Sequence, residues 1–152
     1  IEVGYNPEII LAGRRLNDNM GPYVANQVSK LMTKKRIHVV DANVLILGLT
    51  FKENCPDLRN TRVVDLVQEF ESFNCNVDIY DPWVDKDEAI REYDIKLIDK
   101  PVEGRYDAIL LAVAHDEFKE LSVEQIKAFG KDNCVLYDIK YLLKANEVDG
   151  RL

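Results

Sequence analysis

Residues 44–67 read VLILGLTFKENCPDLRNTRVVDLV and contain the two elements that decide the fold. The opening run, residues 44–48, is apolar and ends in glycine, which is typical of a buried strand in a parallel sheet. After a polar loop, apolar residues at helical spacing over residues 63–70 predict an amphipathic helix. Asn60 or Thr61 is the expected N-cap of that helix. A strand, a crossover loop and a helix together form the beginning of a βαβ unit.

The same alternation of strands and helices continues to the end of the chain. Strands that alternate with helices pair in parallel, with right-handed crossovers and helices on both faces of the sheet. The predicted fold class is therefore α/β, a doubly wound parallel sheet of the Rossmann-like type, over residues 37–152. Further strands are predicted at residues 77–80, 96–98, 108–113 and 135–137, and helices at residues 85–93, 122–129 and 140–145.

A long helical arm, residues 1–36, is predicted ahead of this sheet. Asn6-Pro7 suits the cap and the first position of a helix, and a rough apolar stripe follows it. Gly21-Pro22 interrupts the stripe, because proline inside a helix removes a hydrogen bond and clashes with the preceding turn. We therefore expect the arm to bend or to consist of two helices.

The composition describes a globular protein and argues against several kinds of partner. A net charge of -7 disfavours nucleic acid, whose phosphates need a clustered basic surface. No apolar run approaches the roughly 20 residues that cross a bilayer, and no signal peptide is expected. The three cysteines form no CxxC pair, so neither a zinc site nor a disulfide framework is indicated, and a cytoplasmic setting is the simplest interpretation. The first residue is Ile1 rather than methionine, which suggests a piece of a longer protein or a trimmed chain.

The loop over residues 48–61 is the main candidate for a ligand site. In open parallel sheets, ligands bind beyond the carboxyl ends of the strands, and this loop follows such an end. It has neither the three glycines of a dinucleotide fingerprint nor a P-loop. It does carry Phe51, which can stack, and Lys52 and Arg59, which can hold a base or an anionic group near a helix N-terminus. The alternative is a long crossover loop with solvated charges.

The segments GLTFKENCPDLRNTRVVDLV (48–67) and VDIYDP (77–82) resemble the C-terminal domain of the UDP-glucose/GDP-mannose dehydrogenase family. Members of that family carry G-x-[AT]-F-K-x-x-x-x-D-x-R after the first strand of this domain. GYNPEIILAGRRLNDNMGPYVA (4–25) is similar to the family's helical connection from the middle, dimerisation domain. TFKENCPDLRNT and DIK look most like the branch that acts on UDP-N-acetylhexosamines.

The resemblance implies roles for four residues. Phe51 and Lys52 are expected to contact the nucleotide sugar, and Arg59 to reach the pyrophosphate of NAD across an interdomain cleft. Lys140 stands where many UDP-glucose members have arginine, so it is expected to touch the UDP end of the substrate as a point charge instead of a planar fork. The family's NAD-binding domain and its catalytic cysteine, in a G-x-x-C-x-P-K-D segment, have no counterpart here. No catalytic residue and no metal site are therefore assigned, and the chain is expected to be inactive alone.

The resulting hypothesis is the nucleotide-sugar-binding domain of an NAD-dependent UDP-N-acetylhexosamine 6-dehydrogenase. By resemblance, such an enzyme oxidises the sugar 6-hydroxyl to a carboxylate and supplies precursors for a polysaccharide. The expected partners are the UDP-sugar, the remaining domains of the same enzyme and further copies in a homodimer or larger assembly, without nucleic acid or membrane. The alternatives are the same domain of a UDP-glucose 6-dehydrogenase and, from another class, a stand-alone nucleotide-binding or partner-docking module.

Three further residues have less specific interpretations. Cys55 lies in the candidate loop, but no histidine accompanies it there, so a nucleophilic role is not expected. His115 could act in proton transfer or position the next helix, and we favour the second. Asp81 stands where a Rossmann unit carries a ribose-binding acid, but next to a proline it more readily forms a tight turn.

Overall fold

A computed structural model describes residues 18–152, and its central feature is a parallel sheet of five strands. In chain order the strands are β1 Asn43–Leu47, β2 Asn76–Tyr80, β3 Tyr106–Leu111, β4 Gly130–Asp138 and β5 Gly150–Arg151. They lie in the order β2-β1-β3-β4-β5, and each neighbouring pair is parallel. The predicted α/β class with a parallel sheet is confirmed.

Helices cover both faces of this sheet. They are α1 Met20–Lys34, α2 Val63–Ser72, α3 Lys86–Tyr93, α4 Asp116–Lys119 and α5 Val123–Lys127, followed by a 3-10 turn at Ala145–Glu147. Buried residues of α1, α2 and α3 share one hydrophobic cluster with the sheet, and buried residues of α4 and α5 share a second cluster on the other face. The arrangement is therefore doubly wound.

The central strands are buried on both sides. In β1, Val44 and Ile46 pack into the first cluster, whereas Leu45 and Leu47 pack into the second. Every residue of β3 is buried. Because both faces of these strands are covered, their sequences are continuous apolar runs, without the alternation of a half-exposed strand.

The helix α1 is part of this packing and lies directly against α2. At Gly21 an added Cβ would lie 2.9 Å from both Asp65 Cβ and Leu66 N, so only glycine permits this approach of the two helices. Pro22 occupies the first turn of α1, where a missing N–H breaks no intrahelical bond. The start of the predicted arm, including Asn6-Pro7, lies outside the described residues, and the division of the chain at residue 36 stays a prediction.

One predicted element at the carboxyl-terminal end of the chain is wrong, and one strand in that region was not predicted. Residues 140–145 form no α-helix, because the Asp138 carboxylate accepts the N–H groups of Lys140 at 3.0 Å and Leu143 at 2.8 Å. Tyr141 between them has a left-handed φ of 58°, which also prevents a helical turn. The chain then continues into β5, which pairs with β4 and carries no sequence pattern that predicted it.

One more predicted strand is absent, and the boundaries of several other elements differ from the prediction. Residues 96–98 form no strand; Leu97 is buried, and Ile98 donates a single backbone hydrogen bond to the Ile79 carbonyl at 3.0 Å. The helix capped by Ser122 starts as predicted but ends at Lys127. The N-cap position of α2 is Arg62, one residue beyond the predicted cap. Burial without strand pairing explains the apolar signal at residues 96–98.

Candidate functional site

A cleft of about 340 Å³ lies at the carboxyl edge of the sheet. It is lined by Phe51 from the loop after β1, by Arg62 at the start of α2 and by Lys140 directly after β4, together with Met20 of α1. Segments that are distant in sequence thus meet beyond the carboxyl ends of the strands. This is where open parallel sheets bind their ligands.

The chemistry of the cleft suits an aromatic ring that carries an anionic group. Phe51 has 54% of its surface exposed, so a face of the ring is available for stacking. Lys140 and Arg62 supply two positive charges next to the N-terminus of the ten-residue helix α2. Arg62 pairs with Asp18 at 2.6 Å and with Asp65 at 3.4 Å, and these carboxylates hold its guanidinium at the cleft.

A larger cavity of about 720 Å³ lies at the opposite edge, near the amino ends of β3 and β4. Two of its lysines pair with protein carboxylates, as Arg62 of the smaller cleft also does: Lys35 contacts Asp149 at 2.7 Å, and Lys131 contacts Asp107 at 3.0 Å. Parallel sheets rarely bind ligands at this edge, so we assign the site to the smaller cleft.

The loop that carries Phe51 is closed by its own hydrogen bonds. The Phe51 N–H donates to the Asp57 carbonyl at 2.9 Å, and the Thr50 hydroxyl donates to the Lys52 carbonyl at 2.9 Å. Lys52 is exposed and lies beside the residues that line the cleft. The loop therefore presents an aromatic ring and a cation side by side.

Arg59 lies outside the cleft, and its direction is set by Asp57. Its guanidinium makes a bidentate pair with that carboxylate, Nε to Oδ1 at 3.0 Å and Nη2 to Oδ2 at 3.1 Å. The side-chain hydrogen bond from Arg59 lowers the pKa of Asp57, and the same bond raises the pKa of Arg59. With 86% of its side chain exposed, Arg59 can reach an anionic group that approaches from outside this domain.

Asp81, directly after β2, accepts hydrogen bonds from the first residues of the candidate loop. Its Oδ2 accepts the N–H of Leu49 at 2.7 Å and of Thr50 at 3.2 Å, and its Oδ1 accepts the N–H of Trp83 at 2.8 Å. Burial raises the pKa of Asp81, but the hydrogen bonds from His115, Leu49 and Trp83 outweigh burial, so the pKa lies below the usual aspartate value. The predicted turn is confirmed by the Trp83 bond, and Asp81 is already saturated by protein donors.

His115 is buried completely beneath the same loop. Its Nε2 lies 2.9 Å from Asp81 Oδ2, and its Nδ1 accepts the N–H of Asn54 at 2.9 Å. The His115 carbonyl accepts the N–H of Phe118 at 3.0 Å, so the main chain of His115 does begin α4 as predicted. The contact between the His115 side chain and the candidate loop could not be predicted from the sequence.

The candidate loop and all described lining residues of the cleft except Met20 lie within a segment that matches a known protein family. Residues 45–145 match the UDP-glucose/GDP-mannose dehydrogenase family, UDP binding domain. The chain belongs to the UDP-glucose/GDP-mannose dehydrogenase family. The candidate loop, Asp81, His115 and Lys140 all fall inside the matched residues of this UDP-binding domain.

Similar proteins and a similar solved structure support the same family assignment. The chain is 58% identical over 150 residues to a UDP-N-acetyl-D-glucosamine 6-dehydrogenase of Pseudomonas aeruginosa, covering 99% of this chain and 36% of that protein. It is 57% identical to the protein of the same name from Salmonella typhi, covering 99% of this chain and 35% of that protein. A solved structure of UDP-D-ManNAc dehydrogenase from Pyrococcus horikoshii superposes with a TM-score of 0.78 at 25% identity, over 99% of this chain and 34% of that one. The chain thus spans about a third of the length of these relatives.

Two of the three cysteines are poor candidates for a reactive site. Burial raises the pKa of the Cys75 thiol to about 11 and that of the Cys134 thiol to about 12, and a thiol that stays protonated is a poor nucleophile. Within residues 18–152, no group of three His, Cys, Asp or Glu side chains could hold a metal ion.

None of the helices in this part of the chain is both long and apolar enough to cross a membrane.

The structure brings two of the four predicted site residues together. Phe51 and Lys140 line one cleft, whereas Lys52 and Arg59 lie outside it. Arg62 lines the cleft but was missed, because the family motif that singled out Phe51, Lys52 and Arg59 ends at Arg59.

Proposed function

We propose that this chain holds the UDP-sugar in an NAD-dependent UDP-N-acetylhexosamine 6-dehydrogenase that makes polysaccharide precursors. The observation that carries the proposal is the cleft in which an exposed aromatic ring, Phe51, faces the cations of Arg62 and Lys140 within the family's UDP-binding domain. Since the chain spans about a third of its relatives, oxidation of the sugar 6-hydroxyl and most of the NAD contacts are assigned to the remaining domains.

The proposed contacts follow from the chemistry of a UDP-sugar, in which a flat base is joined through a ribose to a diphosphate that carries two negative charges. Lys140 and Arg62 lie where they can neutralise the diphosphate. Phe51 offers its exposed ring to the nucleotide sugar, and Lys52 extends to the same ligand from beside the cleft. In this proposal the fold brings together, before any ligand binds, the side chains that contact the nucleotide sugar and its diphosphate.

Calorimetric titration of the chain with UDP and UDP-N-acetylglucosamine tests this proposal. Lys140→Ala is expected to lower the affinity for both ligands about tenfold, since it removes one charge-assisted contact. Lys96→Ala is the matched control, because it removes an exposed lysine that is not part of the cleft. If the two substitutions weakened binding equally, the loss would reflect net charge alone. If no uridine nucleotide gave heat, the proposed role of this chain in holding the UDP-sugar would be wrong.

Sugar specificity distinguishes the proposed function from the alternative, the same domain of a UDP-glucose 6-dehydrogenase. Lys140 stands where many UDP-glucose members have arginine, and the two relatives above are named for UDP-N-acetyl-D-glucosamine. We therefore expect UDP-N-acetylglucosamine to bind the chain, or the full-length enzyme, more tightly than UDP-glucose. The reverse order would move the proposal to the alternative.

Arg59 is proposed to contact NAD, not the UDP-sugar. Arg59 does not line the cleft whereas Arg62 does, so the two arginines can be compared as a matched pair. Arg59→Ala is expected to leave the UDP affinity of the chain unchanged and to raise the KM for NAD of the full-length enzyme about tenfold. Arg62→Ala is expected to weaken UDP binding and to leave the KM for NAD unchanged. The opposite pattern would exchange the two assignments.

We also propose that the enzyme is cytoplasmic and forms a homodimer or a larger assembly, without nucleic acid or membrane as partners. All three cysteines are free thiols, which supports a reducing compartment. The net charge of -7 disfavours nucleic acid. Resemblance of residues 4–25 to the family's dimerisation connection supports the assembly, which light scattering on the full-length enzyme measures directly.

A further inference from the structure

The buried ring of His115 holds the tip of the candidate loop through a backbone amide. Because the Asn54 N–H points at Nδ1 from 2.9 Å, that nitrogen accepts a hydrogen bond and carries no proton. The single ring proton is then on Nε2, which faces Asp81 Oδ2 at 2.9 Å. Thr50 Oγ1 also lies 3.2 Å from Nε2. One imidazole thus contacts the loop at two points, residues 50 and 54.

The loop tip is fastened a second time by the side chain of Asn54. Its Oδ1 accepts the N–H of Asp116 at 3.0 Å, and its backbone adopts a left-handed φ of 54°. Asn54 is exposed to solvent, so little apolar packing holds it in place. Two hydrogen bonds to consecutive residues, His115 and Asp116, therefore tie the tip of the loop to the turn after β3.

We infer that His115 is a positioning residue for the UDP-sugar: it fixes Thr50 and Asn54, and thereby presets Phe51 and Lys52, which lie between them. His115 does not line the cleft, so it acts through the loop and not on the ligand. A loop that is ordered before binding loses less conformational entropy when the ligand arrives, which raises the affinity without any added contact. This inference rests on the proposed function.

Two substitutions of His115 separate its two hydrogen bonds. In His115→Gln the side-chain amide can still donate to Asp81, but the Asn54 N–H loses its acceptor. In His115→Asn the amide oxygen can replace Nδ1 as the acceptor of that N–H, but Asp81 loses its donor. UDP affinity of the full chain, measured by calorimetry, is expected to fall about tenfold in His115→Gln and to be largely retained in His115→Asn. A role in folding alone would instead reduce the stability of both variants and leave their UDP affinities equal.

A second pair of substitutions leaves the buried ring intact. Asn54→Gly removes the hydrogen bond that the Asp116 N–H donates to the Asn54 side chain. Asn74→Gly is the control: it replaces an asparagine with glycine in another exposed loop, where the φ of Asn74 is 61°. Glycine accepts both left-handed conformations, so neither backbone is strained. Asn54→Gly is expected to weaken UDP binding about fivefold, and Asn74→Gly to leave it unchanged.

Hydrogen exchange and ligand binding together decide the inference. In the chain without ligand, the Asn54 amide is expected to be protected, and this protection is expected to be lost in His115→Gln. If wild type, His115→Gln and Asn54→Gly bound UDP equally, the inference would be wrong and the proposed function would stand. If the wild-type chain bound no uridine nucleotide, the proposed function itself would fail, and the inference with it.

Discussion

Replacing Asp81 with alanine is expected to lower the free energy of unfolding by about 3–5 kcal/mol, the range seen when one member of a buried polar network is removed. The carboxylate is buried and accepts hydrogen bonds from three backbone N–H groups and from His115. Alanine leaves all of these donors without their acceptor in a region with little access to water. Because two of the donors begin the candidate loop, UDP binding is expected to fall as well.

The isosteric variant Asp81→Asn separates charge from shape. It keeps one oxygen but turns the other acceptor into a donor that faces N–H groups, so its loss of stability is expected to be smaller than that of alanine. Asp87→Ala, at an exposed position of α3, is the control and is expected to change stability by less than about 0.5 kcal/mol. Urea unfolding followed by circular dichroism measures all three. A loss for Asp81→Ala no larger than that of the control would show that the network does not stabilise the fold.

The same carboxylate predicts a dependence of stability on pH. The pKa of Asp81 is lower in the folded chain than the usual aspartate value of about 3.9. Its ionised form therefore contributes stability that is fully present above about pH 4 and is lost as the pH falls through the lower, folded-state pKa. Asp81→Asn has no such ionisation, so the difference in unfolding free energy between wild type and this variant is expected to narrow below about pH 4.

The sequence predicts the sheet well because its central strands are apolar on both faces, and that pattern needs no knowledge of the partners. It fails at residues 140–145, where the helical spacing is overruled by the carboxylate of Asp138, which binds the backbone N–H groups that a helix would begin with. It also gives no indication of β5, whose two residues are too few to show a period. Local patterns thus predict elements whose stability is local, and miss those set by one tertiary contact.

The candidate site shows the same division. Phe51 and Lys140 could be chosen from the sequence because family resemblance points to them. The bond between Asp81 and His115 could not, because the two residues are 34 positions apart and meet only when β2 and β3 flank β1. A sequence pattern gives the strands, but not their order in the sheet. Positioning residues of this kind therefore become visible only in the structure.

Gly48 joins the central strand to the candidate loop, and its replacement by alanine is expected to lower the free energy of unfolding by about 3 kcal/mol. Its φ of +104° is unfavourable for any residue with a Cβ atom. In addition, a Cβ at this position would lie 2.5 Å from Val113 Cβ and 2.8 Å from Val113 N. Val113 cannot relieve these contacts by changing its rotamer, because they involve its backbone N and its Cβ atom. The start of the loop must shift instead, so UDP affinity is expected to fall together with stability.

Gly104→Ala separates the two causes of this effect. Gly104 also has a left-handed φ, +68°, but no atom lies within 4 Å of an added Cβ. Its replacement is therefore expected to cost only the backbone term, about 1–2 kcal/mol, and to leave UDP binding unchanged. The excess loss in Gly48→Ala then reports the close approach of the loop's first residue to Val113 together with the larger φ at position 48. If the two substitutions lowered stability equally, that approach would not constrain the loop, and glycine at position 48 would be required by its φ alone.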